Sequence, residues 1–207
     1  MRPNPDYALE DPHEIARLIE RHPFATLVSA PSSGTPVASH YPILLDREAE
    51  DLTVISHVGR PDERIHELGR HPVLLIVHGP QGYISPGWYD DRPAVPTWNF
   101  VVAHLWGTPE ILDERENLRM LGELVDRFEG PRDRPRRMLG APEDAAYARR
   151  IHTGTVGYRL RVTRVEAKRK LSQDKPADVV HTVIDRLETD PLYANPALAA
   201  AMKEIHS

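Results

Sequence analysis

Apolar positions recur with two different periods along this 207-residue chain, and the switches between them outline its elements. Asp11-Pro12-His13-Glu14 is a helix start. Asp11 can cap the free amides, Pro12 suits the first turn, and Glu14 completes a capping-box spacing. Ile15, Leu18 and Ile19 form one apolar face before Pro23 stops the helix. Three short apolar runs follow: Phe24 to Ser29, Val37 to Leu45 and Leu52 to Ser56. Turn residues separate them, as in an antiparallel meander. Asp62 to Leu68 reads as a short helix, Pro72 to Val77 as a buried strand, and Phe100 to Ile111 as a long strand interrupted at Pro109. The spacing of Leu118, Leu121, Leu124, Val125 and Phe128 predicts a helix over Glu114 to Phe128. A charged, proline-containing connection then leads to a helix over Pro142 to Ile151. Thr155 to Glu166 keeps Val156, Tyr158, Leu160, Val162 and Val165 in the pattern of another long strand. Helices over Ala177 to Glu188 and from Asn195-Pro196 to Ile205 close the chain.

Strands outnumber possible βαβ crossovers, and their short links favour antiparallel pairing. The expected architecture is a β-barrel with peripheral helices, in a single domain over residues 1–207 with helical insertions and a C-terminal helical extension. An open α+β sheet would give nearly the same one-dimensional pattern. No Gly-x-Gly-x-x-Gly fingerprint is present, which disfavours a Rossmann dinucleotide site.

One stretch departs from this regularity. Gly79 to Gly107 holds all three tryptophans, Trp88, Trp98 and Trp106, with Tyr83 and Tyr89 among prolines and glycines. Ring surface gains most when removed from water, so the stretch should pack. It is either a structural cover on the core or the wall of a pocket for a flat ligand.

Composition narrows the classes. The net charge of -5 disfavours broad attraction to nucleic acid, although a local basic patch could still bind it. There is no cysteine, so disulfide and thiolate chemistry are excluded. No apolar run approaches the roughly 20 residues of a membrane helix. The first residues lack the apolar core of a secretion signal. A cytoplasmic protein without membrane contact is the expectation. The 11 histidines are scattered without a compact zinc signature.

Candidate chemistry gathers at three places. His57 and Arg60 follow the third strand directly. Arg60 could grip phosphate or carboxylate through its planar donor fork, and His57 could serve as an acid, a donor or a heme ligand. A backbone hydrogen bond for His57 and a surface ion pair for Arg60 would satisfy both without function. Ser85 and Trp88, then Thr97, Trp98 and Asn99, flank a short acidic turn and combine stacking surface with hydrogen-bonding groups. Ser85 lacks a nucleophile-elbow sequence. Lys168-Arg169-Lys170, the main basic run, precedes Ser172 and Gln173. Lys170 could meet a cofactor phosphate, or the run could be a solvated strand end. No two-helix unit for reading DNA is evident.

Taken together, these motifs resemble the PaiB-type family of FMN-binding split-barrel proteins. The resemblance is carried by Pro23 to Val28, His57 with Arg60, His78-Gly79-Pro80 before Tyr83-Ile84-Ser85-Pro86, Trp88-Tyr89, Val95 to Asn99, His104, and Lys170 to Gln173. It implies a six-stranded FMN-binding split barrel, a homodimer, and flavin bound at His57, Arg60, Ser85, Trp88, Thr97, Trp98, Asn99, Lys170, Ser172 and Gln173. It also implies a redox or transcription-regulating role. Members commonly continue the arginine motif with Ala-Asn-Pro, where this chain has Pro61-Asp62, and Asp62 brings negative charge toward the supposed phosphate region. Asp174 likewise departs from the usual Ser-Gln-Asn ending. The chain is also similar to the heme-dependent piperazate synthases, which form a nitrogen–nitrogen bond. That second resemblance makes heme b the alternative cofactor and His57 its axial ligand. A non-catalytic DNA-binding regulator is the third reading.

Overall fold

The computed structural model describes residues 1–89 and 93–206. The acidic turn at residues 90–91 lies outside them. In chain order the elements are α1 (Pro12–Arg21), β1 (Phe24–Ser29), β2 (Val37–Leu45), β3 (Thr53–Gly59), α2 (Arg60–Ile65), β4 (Val73–Ile84), β5 (Thr97–Gly107), β6 (Glu110–Ile111), α3 (Glu114–Glu129), α4 (Pro142–Ile151), β7 (Thr155–Arg161), β8 (Arg164–Lys170), α5 (Ala177–Thr189) and α6 (Pro196–His206). The strand order is β6-β7-β3-β2-β1-β4-β5-β8, and each pairing described below is antiparallel. With its peripheral helices this is the split-barrel fold. The barrel expectation holds, with eight strands among the described residues where six were expected, one of them only two residues long.

The chain forms two compact units. One comprises Ala16–Val77 and His104–Val165 and is here called the strand unit. Its core follows from strict alternation. Ala25, Leu27 and Ser29 of β1 point inward beside Val73, Leu75 and Val77 of β4, all nearly or fully buried. The opposite face of the same strands carries Phe24, Thr26, Val28, Ala38, His40, Pro42, Leu74 and Ile76. Phe24 is 62% exposed there and stacks on His40. α3 lays Met120 and Leu121 against Ile55, Leu44 and Leu112. The Asp113 carboxylate caps α3 by accepting from the Glu116 amide at 2.8 Å.

The second unit, here the tail unit, comprises Met1–Ile15, His78–Ala103 and Glu166–Ser207. α5 and α6 pack together in it, and Val179, Val183, Leu187, Leu198 and Met202 of these helices are buried. The Asn195 side chain accepts from the Leu198 amide and donates to the Gln81 carbonyl, starting α6 as expected.

Several boundaries move. The strand expected over Pro72 to Val77 runs on to Ile84, so Gly79 to Ile84 at the start of the aromatic stretch is β4 rather than loop. Gly82 is needed there, because a Cβ would lie 2.9 Å from Leu198 Cδ2. The strand expected over Thr155 to Glu166 is two strands, β7 and β8. The chain breaks at Val162 and Thr163, whose amides are claimed by the Leu52 and Trp106 carbonyls. The third strand extends to Gly59. The helix expected over Asp62 to Leu68 starts earlier and stops at Ile65, and Glu67 (φ 46°) and Gly69 (φ 85°) then turn the chain toward β4.

Candidate functional site

The tail unit holds a cavity of about 540 Å³ lined by residues from two of its segments. Tyr89, Pro93, Ala94, Val95, Thr97 and Asn99 come from the aromatic stretch and the start of β5. Lys170, Ser172, Asp174, Lys175, Pro176 and Val179 come from the end of β8 and the approach to α5. Its size and its mixture of apolar walls with a few polar groups suit a small-molecule site.

The polar groups are fixed rather than loose. Lys170 Nζ donates to Thr97 Oγ1, and to the Trp98 carbonyl at 3.0 Å. Burial lowers the Lys170 ammonium below the ordinary lysine range, the direction expected for a cation partly removed from water. Asn99, fully buried, donates from Nδ2 to Ser172 Oγ at 2.9 Å and contacts Met202 Sδ at 3.5 Å. Its Oδ1 has no partner among the described residues. Asp174 pairs with Lys175 at 2.8 Å. Burial works to raise that carboxyl, but hydrogen bonds from Lys175 and Tyr7 outweigh it and hold the group below its usual value. Tyr7 in turn is pushed up to about 12, first by burial and then by Asp174.

Of the residues expected in the site, Thr97, Asn99, Lys170 and Ser172 line the cavity together. Ser85 accepts from the Gly87 amide at 3.2 Å and caps the turn that buries Trp88. Trp88 and Trp98 do not line the cavity, Trp98 being 53% exposed, and the aromatic wall is Tyr89. Gln173 spends its amide on its own backbone, accepting from Leu171 N at 2.7 Å and donating to Arg169 O. Asp174, which the sequence marked only as a departure from the motif ending, also lines the cavity, and so do Lys175 and Val179, which the sequence did not single out. Lys175 was visible only as a charge beside a motif, and Val179 only as the buried face of a helix.

His57 and Arg60 belong to the strand unit. Arg60 Nε donates to the Thr153 carbonyl. Asp62 does not stand free beside it, because its carboxylate accepts from Ser39 Oγ and Tyr41 OH, each at 2.7 Å. Those two bonds hold its pKa low. The Tyr41 hydroxyl also accepts from Gly59 N at 3.1 Å, and the Tyr41 ring meets His57 edge-on. Behind them the buried His66 bridges Ser29 Oγ at 2.7 Å and Ser39 Oγ at 3.0 Å. Ser39 gives its proton to Asp62, so it accepts from His66 Nε2–H, and His66 Nδ1 accepts from Ser29.

A metal-bound imidazole normally hands its second ring nitrogen to an acceptor. His57 Nδ1 is buried with no partner among the described residues. These residues therefore do not supply the supporting shell of a heme ligand. The flavin test comes out differently. The cavity offers a cation for a phosphate, hydroxyls and an amide for a polar ring edge, and an aromatic wall.

A family model described as "Putative FMN-binding domain" matches residues 1–164. The chain belongs to this family. It is the PaiB-type FMN-binding split-barrel family. The chain is similar to the Bacillus subtilis (strain 168) protein named "Protease synthase and sporulation protein PAI 2", with 28% identity over 186 residues, covering 89% of this chain and 87% of that one. Among solved structures, the fold is shared with the FAD and heme binding protein from Mycobacterium smegmatis. That likeness has a TM-score of 0.56 and 18% identity, and it covers 83% of this chain and 77% of the other. A flavocytochrome from Azotobacter vinelandii gives the same score and identity over 78% of this chain and 68% of its own. The family match ends before β8 is complete, so Lys170, Ser172 and the rest of that cavity wall lie beyond it. Among the described residues no helix is long and apolar enough to cross a membrane.

Proposed function

We propose that this chain binds FMN in the tail-unit cavity and serves a redox role through it. The observation that carries the reading is the convergence of Lys170, Thr97, Asn99 and Ser172 on one cavity in a member of an FMN-binding family. FMN would supply the electron chemistry, while the chain orients it and sets its surroundings. Lys170 is the phosphate contact, Tyr89 faces the ring, and Ser172, held by Asn99, meets its polar edge. The experiment is a titration of the purified protein with FMN and with riboflavin, which lacks the phosphate. Lys170→Met is expected to weaken FMN binding at least about tenfold, the value of one charge-assisted hydrogen bond, and to leave riboflavin binding unchanged. Specific heme uptake or sequence-selective binding of duplex DNA, with no flavin affinity, would overturn the proposal.

The same reading includes a homodimer, formed through the open face of β1, β2 and β4. What supports it is the face itself, which carries Phe24, Val28, Pro42, Leu74 and Ile76 and no acid, lysine or arginine. A two-fold contact brings a patch against its own copy, so an uncharged face avoids like-charge repulsion. Phe24→Glu is expected to shift sedimentation from dimer to monomer at micromolar concentration. An unchanged sedimentation coefficient would remove this face from the interface.

A further inference from the structure

Ser172 is the cavity residue whose backbone is hardest to explain by packing. Its φ is +66°, a left-handed conformation in which a side chain is strained and glycine is not. Yet the surroundings hold it there. The Ser172 carbonyl accepts from Lys175 N at 3.0 Å, closing a tight turn. On its N-terminal side, Leu171 donates its amide to Gln173 Oε1, and its carbonyl accepts from His206 Nε2 at 3.0 Å. The turn is thus fixed from within and by α6.

The side chain is equally constrained. Ser172 is only 3% exposed, and its Oγ is occupied as an acceptor by Asn99 Nδ2. An oxygen that accepts still carries its own proton. No acceptor for that proton is found among the described residues, although the residue lines the cavity. Strain of this kind persists where surrounding structure over-determines it, and commonly at ligand-holding positions.

We infer that Ser172 is a specificity-determining donor of this cavity. Its hydroxyl proton is aimed by Asn99 at an in-plane acceptor, a carbonyl oxygen or ring nitrogen, on the edge of the bound ligand. The inference rests on the flavin reading for the identity of that ligand. Lys170 recognises charge and Ser172 recognises an acceptor, so the site selects flat molecules that carry both. Asn99 acts through Ser172 and is a positioning residue.

Two variants separate the backbone from the hydroxyl. Ser172→Ala and Ser172→Gly both lose the donor, and both leave Asn99 without that partner. Only glycine relieves the strain. Ser172→Gly should therefore melt about 2–4 °C above Ser172→Ala in the absence of ligand. Both variants should bind FMN at least about tenfold more weakly than the unmodified protein. The unmodified protein should also discriminate against 2-thio-FMN or 4-thio-FMN, in which sulfur is the poorer acceptor, and both variants should lose that discrimination. Retained FMN affinity and retained discrimination in the variants would overturn the donor role. Equal melting of the two variants would overturn the strain. If the unmodified protein takes up no FMN, the flavin reading itself fails, a result distinct from either of these.

Discussion

Gly107→Ala should lower the thermal midpoint by about 6–12 °C, a loss near 3 kcal/mol in a chain of this size. Gly107 ends β5, where an added Cβ would land on the Arg161 carbonyl oxygen and 2.9 Å from Leu160 Cδ1. Neither neighbour can move cheaply. Arg161 offers backbone, and Leu160 is fully buried. The same strand ends are tied by Thr163 N to Trp106 O at 2.8 Å and Val162 N to Leu52 O at 3.0 Å. Gly122→Ala is the internal control. It sits inside α3, where a new Cβ meets only Met138 Cε at 3.9 Å. Removing glycine from a helix interior should add about 0.5–1 kcal/mol. Thermal denaturation of the two variants should therefore move in opposite directions. A Gly107→Ala variant as stable as the parent would mean that the end of β5 does not lie against Leu160 and Arg161.

The second large effect is on acid stability. Burial lowers the His66 pKa, while the Asp62 charge pulls weakly the other way. A histidine depressed in the folded state binds fewer protons there than in the unfolded chain. Its contribution is fully present above the unfolded value, near pH 6.5, and is lost as pH falls below it. His57 and His22 are also lowered by burial, so all three act in the same window. Each tenfold drop in proton affinity corresponds to about 1.4 kcal/mol. The thermal midpoint should hold between pH 8 and 7 and fall by several degrees between pH 6.5 and 5. That is above the range where Asp46 and Asp62, both lowered, begin to protonate. His66→Gln should make the fall shallower. A flat profile through pH 5 would show that these imidazoles are not held neutral.

Much of the barrel was legible because local pattern and tertiary role agree. β1 alternates cleanly in burial, β1 and β2 are bounded by turn residues, and α3 repeats leucines with a capped start. The failures share a cause. β4 continues through Gly79, Pro80 and Gly82, residues that read as loop punctuation. Gly82 is there because α6 presses against the strand, a fact of the fold and not of the local sequence. β7 and β8 looked continuous because apolar spacing persisted, while the break comes from carbonyls of distant residues.

The candidate site was half legible for similar reasons. Lys170, Ser172, Thr97 and Asn99 belong to directional motifs and converge on the cavity. Tryptophan richness pointed to Trp88 and Trp98 as walls, but Trp88 is core and Trp98 faces outward. The positive φ at Ser172 has no compositional signature, since serine usually avoids it.

One side of the cavity is built from Tyr89, Val95, Thr97 and Asn99, and the other from Lys170, Ser172, Asp174 and Val179, residues far apart in the sequence. Neither stretch is a binding site by itself, so the pocket exists only once the two have met. Ligand affinity is therefore a readout of completed folding, and in a denaturant titration FMN binding should disappear together with the native signal of the tail unit.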